Sequence, residues 1–404
     1  VRGKIESMQN KLSIIGMSGA LLLSFFGGVL YGFGTRNAVV LEISHPLDVV
    51  LPEAENNPTV DIIASDAHQR RLLEELRSAY IWADGAPIFI SETGVPTNDN
   101  SQAYADLMKK FFQAANLLDI HVTAWAVGER WGDYRVVPFE PSLIEDNALS
   151  YAFRENLGTD TYFRGLNVAG AEFGLDPDAG GEEGELGTTY VYHEDSEIWS
   201  RIRSRGFTHI RLPFRLERLF DVRTGAFDEQ NREALLRAFD KARKADIKIV
   251  LDPHNYGALR IDGRKEVLGG DAFTLDLYKI MLRNIAALSV ENTDVVDVIG
   301  LMNEPKNLDP EDWERFAQEG LNTLRASAWQ GHIEVPTGNW QGIQDVLKSH
   351  DAPWITDPLE DYSYGIHQYF DFNSSGSYDR SYSEDERELR KRYRPGPVTF
   401  PDPR

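Results

Sequence analysis

Two short motifs set a carboxylate directly behind an apolar run: Ser91-Glu92-Thr93-Gly94 after PIFIS (87–91), and Asn303-Glu304-Pro305 after VIGLM. Other chemically active residues occupy the same kind of place. Trp125 lies in HVTAWAV (121–127), Arg211 in HIRLPF (209–214), His254 with Asn255 at the end of IKIVLDPHN (247–255), and His367 with Tyr369 in YGIHQYF (364–370). Two carboxyls among Arg, His, Asn, Tyr and Trp, one as acid and one as nucleophile, are what splitting a glycosidic bond requires. A lone Glu before Pro or Gly is ordinarily a surface-loop residue, and a lone Arg in RLPF is ordinarily a structural ion-pair partner. His254 and Asn255 divide evenly between packing the site and touching a ligand.

Other chemistries find less support. Nine His without H-x-H or H-E-x-x-H spacing argue against a metal centre. No G-x-G-x-x-G or G-x-x-x-x-G-K-[ST] supports a nucleotide cofactor, and no G-x-S-x-G a serine hydrolase, so no cofactor is expected. With 42 Lys+Arg against 64 Asp+Glu the formal charge is −22, which disfavours a nucleic-acid partner. Zero Cys excludes disulfides and thiolate chemistry and is compatible with export.

The elements that must position these residues alternate regularly. Helical patterns at 65–82, 101–118, 142–156, 194–205, 228–245, 272–289, 311–328 and 341–349 interleave with eight strand-like runs: the six quoted above, of which VIGLM begins VIGLMNEP (298–305), together with RGLNVAG (164–170) and HIEVPTGN (332–339). Such alternation predicts a (β/α)8 TIM barrel, with a doubly wound open sheet as the alternative. Polar residues at strand ends favour the barrel, because there those ends converge on one face.

Before the barrel, Leu12 to Thr35 carries no charge and is long enough to cross a bilayer as a helix. Arg2, Lys4 and Lys11 precede it, which predicts a cytoplasmic N-terminus (1–11), a transmembrane anchor (12–35) and an extracytoplasmic remainder. A cleaved signal peptide, giving a secreted protein, is the competing reading. Residues 36–62, with Pro46, Pro52 and Pro58, read as an irregular linker; 63–376 as the barrel; and 377–404 as a charged, Pro-rich tail with a surface helix at 383–394 and a frayed end.

The motifs resemble glycoside hydrolase family 5, in particular its cellulases. FRGLNVAGAEFG (163–174), HIRLPFRLERLF (209–220), VLDPHNYG (250–257), GLMNEP (300–305) and GIHQYFDFNSSGS (365–377) resemble the family's strands one, two, three, four and six. Its strands seven and eight resemble IFISETGVP (88–96) and AWAVGERWGDY (124–134), which lie upstream. The order is therefore seven and eight (63–158), then one to six (159–376), a circular permutation. Closure within one chain, as a monomer, is expected because a barrel's termini lie close together; a domain-swapped dimer is the alternative.

The resemblance implies a retaining endo-β-1,4-glucanase acting on a β-glucan, with Glu304 as acid/base and Glu92 as nucleophile. It places Arg211 beneath the nucleophile, Tyr369 and His367 on nucleophile and acid, Asn303 on the sugar 2-hydroxyl, and Trp125 as an apolar floor that Trp131 and Trp340 could extend. Repulsion from ionised Glu92 would keep Glu304 protonated, giving a bell-shaped pH profile on the acidic side of neutral. A β-mannanase or other β-glucan hydrolase, and a non-hydrolytic glycan-binding protein, are the alternatives.

Overall fold

The first described strands, β1 (Ser13–Met17), β2 (Ala20–Phe25) and β3 (Val29–Gly34), form a three-stranded antiparallel sheet. In this computed structural model the described residues are 13–17, 20–25, 29–34, 39–43, 47–51, 59–96, 101–128, 148–174, 184–194 and 196–402. The membrane-spanning helix expected over 12–35 is thus replaced, where the backbone is described, by strands. The composition accounts for this: Gly16, Gly19, Gly27, Gly28, Gly32 and Gly34 are poor helix formers, and Ile14, Ile15 and Val29 favour extended backbone. Among the described residues no helix is long and apolar enough to cross a membrane.

The expected linker also contains strands. β4 (Val39–Ile43), β5 (Leu47–Leu51) and β6 (Thr59–Ala64) run antiparallel, their Val and Ile residues suiting a sheet while Pro46, Pro52 and Pro58 fall between the strands. β6 leads into α1 (Ala67–Ala83), whose N-cap Asp66 accepts from the Gln69 amide.

The barrel then follows in chain order: β7 (Ile88–Gly94), α2 (Ser101–Leu117), β8 (His121–Val127), α3 (Ala148–Arg154), β9 (Arg164–Val168), α4 (Ile198–Ser204) and β10 (His209–Phe214). After the short α5 (Leu216–Leu219) come α6 (Glu229–Ala245), β11 (Lys248–Pro253) and a hairpin of β12 (Ala258–Ile261) with β13 (Arg264–Val267). α7 (Leu275–Val290), β14 (Val296–Gly300), α8 (Pro310–Ala326), β15 (His332–Pro336), α9 (Ile343–Ser349) and β16 (Tyr362–Tyr369) complete it. β16 pairs in parallel with β7, so the eight strands close within one chain. This is the predicted barrel rather than the open sheet.

The helices bury apolar faces such as Leu72, Leu73 and Leu76 of α1 against the outside of the barrel. Inside, Phe89, Phe163, Val250 and Val298 form an apolar layer. Two residues beyond Val250 on the same strand, Asp252 shares its face by the two-residue period. Strands buried on both sides carry no alternation in sequence, so this inner polar layer is invisible until the barrel closes.

The tail does not fray. α10 (Tyr382–Leu389) begins with a capping box between Ser381 and Glu384, and β17 (Gly396–Pro401) pairs antiparallel with β6 along its whole length. Glu386 accepts from the Ala67 and His68 amides at 3.1 Å, serving the open N-terminus of α1, while the His68 ring stacks on Tyr382 at 4.1 Å. The end of the chain is therefore sealed against the segment that opens the barrel.

Candidate active site

Glu92, Trp125, Arg211, His367 and Tyr369 lie on strands β7, β8, β10 and β16, and His254, Asn303 and Glu304 follow β11 and β14; all converge at one end of the barrel. Two irregularities aim them. Ile366 pairs with Ile90 but His367 pairs with Glu92, so β7 gains a residue and turns Glu92 toward the centre. On β8 the register slips between Ala124 and Val127, around a cis Trp125–Ala126 peptide. Glu304 itself has φ 41°, a left-handed conformation unusual outside glycine, and its amide donates to Gln341 Oε1 at 2.6 Å.

Arg211 is the hub. Its Nη1 donates to Glu92 Oε1 at 2.8 Å and Asn167 Oδ1 at 2.9 Å, and its Nη2 donates to Asn303 Oδ1 at 2.7 Å and lies 3.0 Å from Asp252 Oδ1. Tyr369 donates its hydroxyl to the other Glu92 oxygen at 3.1 Å. His367 Nδ1 lies 2.8 Å from Glu304 Oε1 and 3.5 Å from Glu92 Oε2, bridging the two carboxyls. An oxygen of Glu92, an oxygen of Glu304 and a His367 ring nitrogen all fall within 4.8 Å of one another. That spacing is compatible with a metal ion, but the Arg211 guanidinium already bonded to Glu92 would repel a cation.

Burial sets the proton affinities. It pushes Glu92 up to about 7 against the electrostatic pull of His367 and Arg211, and Glu304 up to about 8 against Lys306 and Arg211. Burial rather than repulsion from Glu92 is thus the largest cause at Glu304, which amends the sequence expectation. It lowers His367, favouring a neutral ring, and raises Asp252 to about 6. Burial also opposes the charge of Arg211, but Asp252, Glu334 and Glu92 outweigh it and push that pKa up.

Trp125 packs with Ala126, Ala169, Phe173 and Tyr369, and stacks on His254 with ring centroids 5.4 Å apart. His254 is oriented by Asp252 at 2.7 Å and contacts Asn303 Nδ2 at 3.3 Å. Asn255 is not brought to the carboxyls: its amide is spent on Leu216 N, Glu217 and Ala258 O, tying β11 to α5. Trp340 is 49% exposed with Lys306 Nζ 3.8 Å above its ring, and Trp131 lies outside the described residues.

Sequence reasoning missed Asn167, Asp252, Glu334 and Gln341. The signal available was a polar residue inside an apolar run, as in RGLNV, IVLDP and HIEVP, but only closure shows which of them face inward.

The profile of the family described as Cellulase (glycosyl hydrolase family 5) matches residues 166–395. The chain is 29% identical over 229 residues to endo-beta-1,4-glucanase B of Emericella nidulans, covering 55% of this chain and 64% of that protein. It is 32% identical over 217 residues to endoglucanase gh5-1 of Neurospora crassa, covering 53% and 52% respectively. The chain therefore spans less than two thirds of the length of these curated relatives. Among solved structures, an endo-beta-1,4-glucanase of Xanthomonas axonopodis pv. citri is 26% identical with a TM-score of 0.46, covering 56% of this chain and 72% of that one.

Proposed function

The chain belongs to glycosyl hydrolase family 5, and from that premise we propose that it is a retaining endo-β-1,4-glucanase that cleaves β-glucan by double displacement. The observation that carries this is the approach of the Glu92 and Glu304 oxygens within 4.8 Å. Retaining enzymes hold their carboxyls about 5–5.5 Å apart, whereas inversion needs about 6.5–9.5 Å to admit water between acid and base.

In this reading ionised Glu92 attacks the anomeric carbon while Glu304 passes its proton to the leaving oxygen. Arg211 and Tyr369, each on one Glu92 oxygen, keep that carboxylate aimed. Glu304, now a base, then takes a proton from water, which attacks the glycosyl-enzyme and releases Glu92 with configuration retained. Trp125 presents an apolar face to the sugar, and Asn303, held by Arg211, is placed to meet the 2-hydroxyl.

Trapping the full chain with a 2-fluoro cellobioside bearing a good leaving group tests the reading. A stoichiometric label on Glu92, found by peptide mass spectrometry, is expected. Label on another residue would reassign the nucleophile, and a folded protein that takes no label while binding cellulose would favour a glycan-binding role.

The barrel is read as permuted because the matched region starts at Leu166 in β9, leaving β7 and β8 with Glu92 and Trp125 outside it. The β17–β6 pairing supports the same reading. A re-permuted gene with 159–376 ahead of 63–158 should fold and hydrolyse glucan; failure of several linker lengths would count against it. Extracytoplasmic action is read from the basic residues Arg2, Lys4 and Lys11 ahead of the uncharged stretch 12–35, a pattern that suits an export signal, and zero Cys is compatible with it. Cell fractionation with protease accessibility checks it.

A further inference from the structure

A cavity of about 620 Å³ opens beside the carboxyls, and its walls are unevenly drawn. Glu304, His367 and Tyr369 line its inner end, whereas Glu92, Trp125 and Asn303 do not. A general acid stands on the side of the bond where the leaving oxygen departs, so the cavity lies in the leaving-group half of the cleft.

Its outer end is built from residues that no barrel strand carries. Leu389, at the end of α10, is followed by Arg392 and Tyr393, and all three line the cavity with Phe372 from the loop after β16. The wall is braced. Arg71 of α1 donates to Phe372 O at 3.1 Å and Asp371 O at 3.0 Å, and lies 3.7 Å from Glu75, which accepts from Gln368 at 3.0 Å and Gln344 at 3.2 Å. The Phe372 amide donates to Asp385 of α10 at 3.0 Å, and the Tyr393 amide continues the helical turn to Leu389 O at 2.8 Å.

Two aromatic rings remain open to this space. Trp340 is 49% exposed and Phe372 38% exposed, although Arg380 covers part of the Phe372 ring from 4.9 Å. Half-buried Tyr393 adds a third ring from the tail. Rings held open by a braced backbone, beside a general acid, suit the C–H faces of pyranose units.

We propose that the C-terminal segment 382–393 is the outer wall of the leaving-group half of the cleft, with Tyr393 and Phe372 binding the second sugar beyond the cleaved bond. The tail that seals the chain end thereby becomes a specificity determinant for β-1,4-glucan chains extending at least two sugars past the scissile linkage. This rests on the glucanase reading.

The test compares two substrates in the full chain. Cellohexaose can fill the outer cavity, whereas an aryl β-cellobioside places only its aryl group on the leaving side. Tyr393→Ala and Phe372→Ala should each lower the ratio of kcat/KM for cellohexaose to that for the aryl cellobioside about tenfold, mainly through KM, and move the cellohexaose cleavage position. Tyr393→Phe, which keeps the ring, should restore the ratio. A ratio unchanged in both alanine variants, or both substrates falling together, overturns the role of the tail. A wild-type protein that cleaves neither substrate overturns the glucanase reading, and this inference with it.

Discussion

Arg211 and Glu92 lie 119 positions apart in sequence and meet at 2.8 Å with both side chains buried. The same guanidinium reaches Asn303, next to Glu304, so one residue positions parts of both halves of the carboxyl pair. Arg211→Lys keeps the charge but loses the fork that holds Glu92, Asn167 and Asn303 together. The expected loss is about 10²–10³ in kcat, the scale of removing one preorganised electrostatic contact, read by steady-state kinetics with circular dichroism as the folding control. Near-native turnover would show that the fork is dispensable.

Glu304→Gln removes the acid and leaves the nucleophile in place. Hydrolysis of glucan should fall about 10²–10⁴-fold. An aryl cellobioside with a good leaving group should still give a burst of phenolate followed by a slow steady state, because only the second step then needs the base. Absence of a burst alongside slow turnover would place the acid elsewhere.

The pH profile follows from the two raised carboxyls. Activity needs Glu92 ionised and Glu304 protonated, so kcat/KM should rise as pH passes about 7 and fall as it passes about 8. The maximum lies near neutral to slightly alkaline pH, above the acidic optimum expected from sequence, because burial raises both groups. Glu304→Gln should abolish the alkaline limb and keep the acidic one; a retained alkaline limb would assign it to another group.

Stability should depend on pH through a buried carboxyl outside the pair. Glu172 accepts from the Gly170 amide at 2.7 Å, yet burial pushes its pKa up to about 8. The folded state thus holds a proton that the unfolded chain releases near pH 4.5, so this contribution is present below that pH and is lost as pH rises through about 8. Glu172→Gln should flatten the fall in Tm between pH 5 and pH 9 seen by scanning calorimetry. An equally steep fall in the variant would remove Glu172 as a source.

The sealing of the tail can be probed at Phe400, fully buried on β17 opposite Val60 of β6. Phe400→Ala should cost about 3–5 kcal/mol of local stability. Hydrogen exchange should accelerate in β17, β6 and the first turn of α1, with the centre of the barrel less affected. Uniform acceleration would mean that tail and barrel unfold as one unit.

Alternation of apolar runs with helical patterns by itself determined the barrel: all eight expected strands and eight expected helices are present, and the strand-end residues Glu92, Arg211, Asn303, Glu304, His367 and Tyr369 do converge. That information is local, since each residue's place at the end of its own strand suffices once the strands run parallel. Tertiary structure alone decided the rest. Asp252, Asn167 and Glu334 join Arg211 because closure selects which side of a doubly buried strand faces inward. Asn255, adjacent to a site residue in sequence, is drawn away by bonds to α5. Strand β17 exists as a strand because β6, more than three hundred positions earlier, supplies its partner, a long-range pairing that no local propensity encodes.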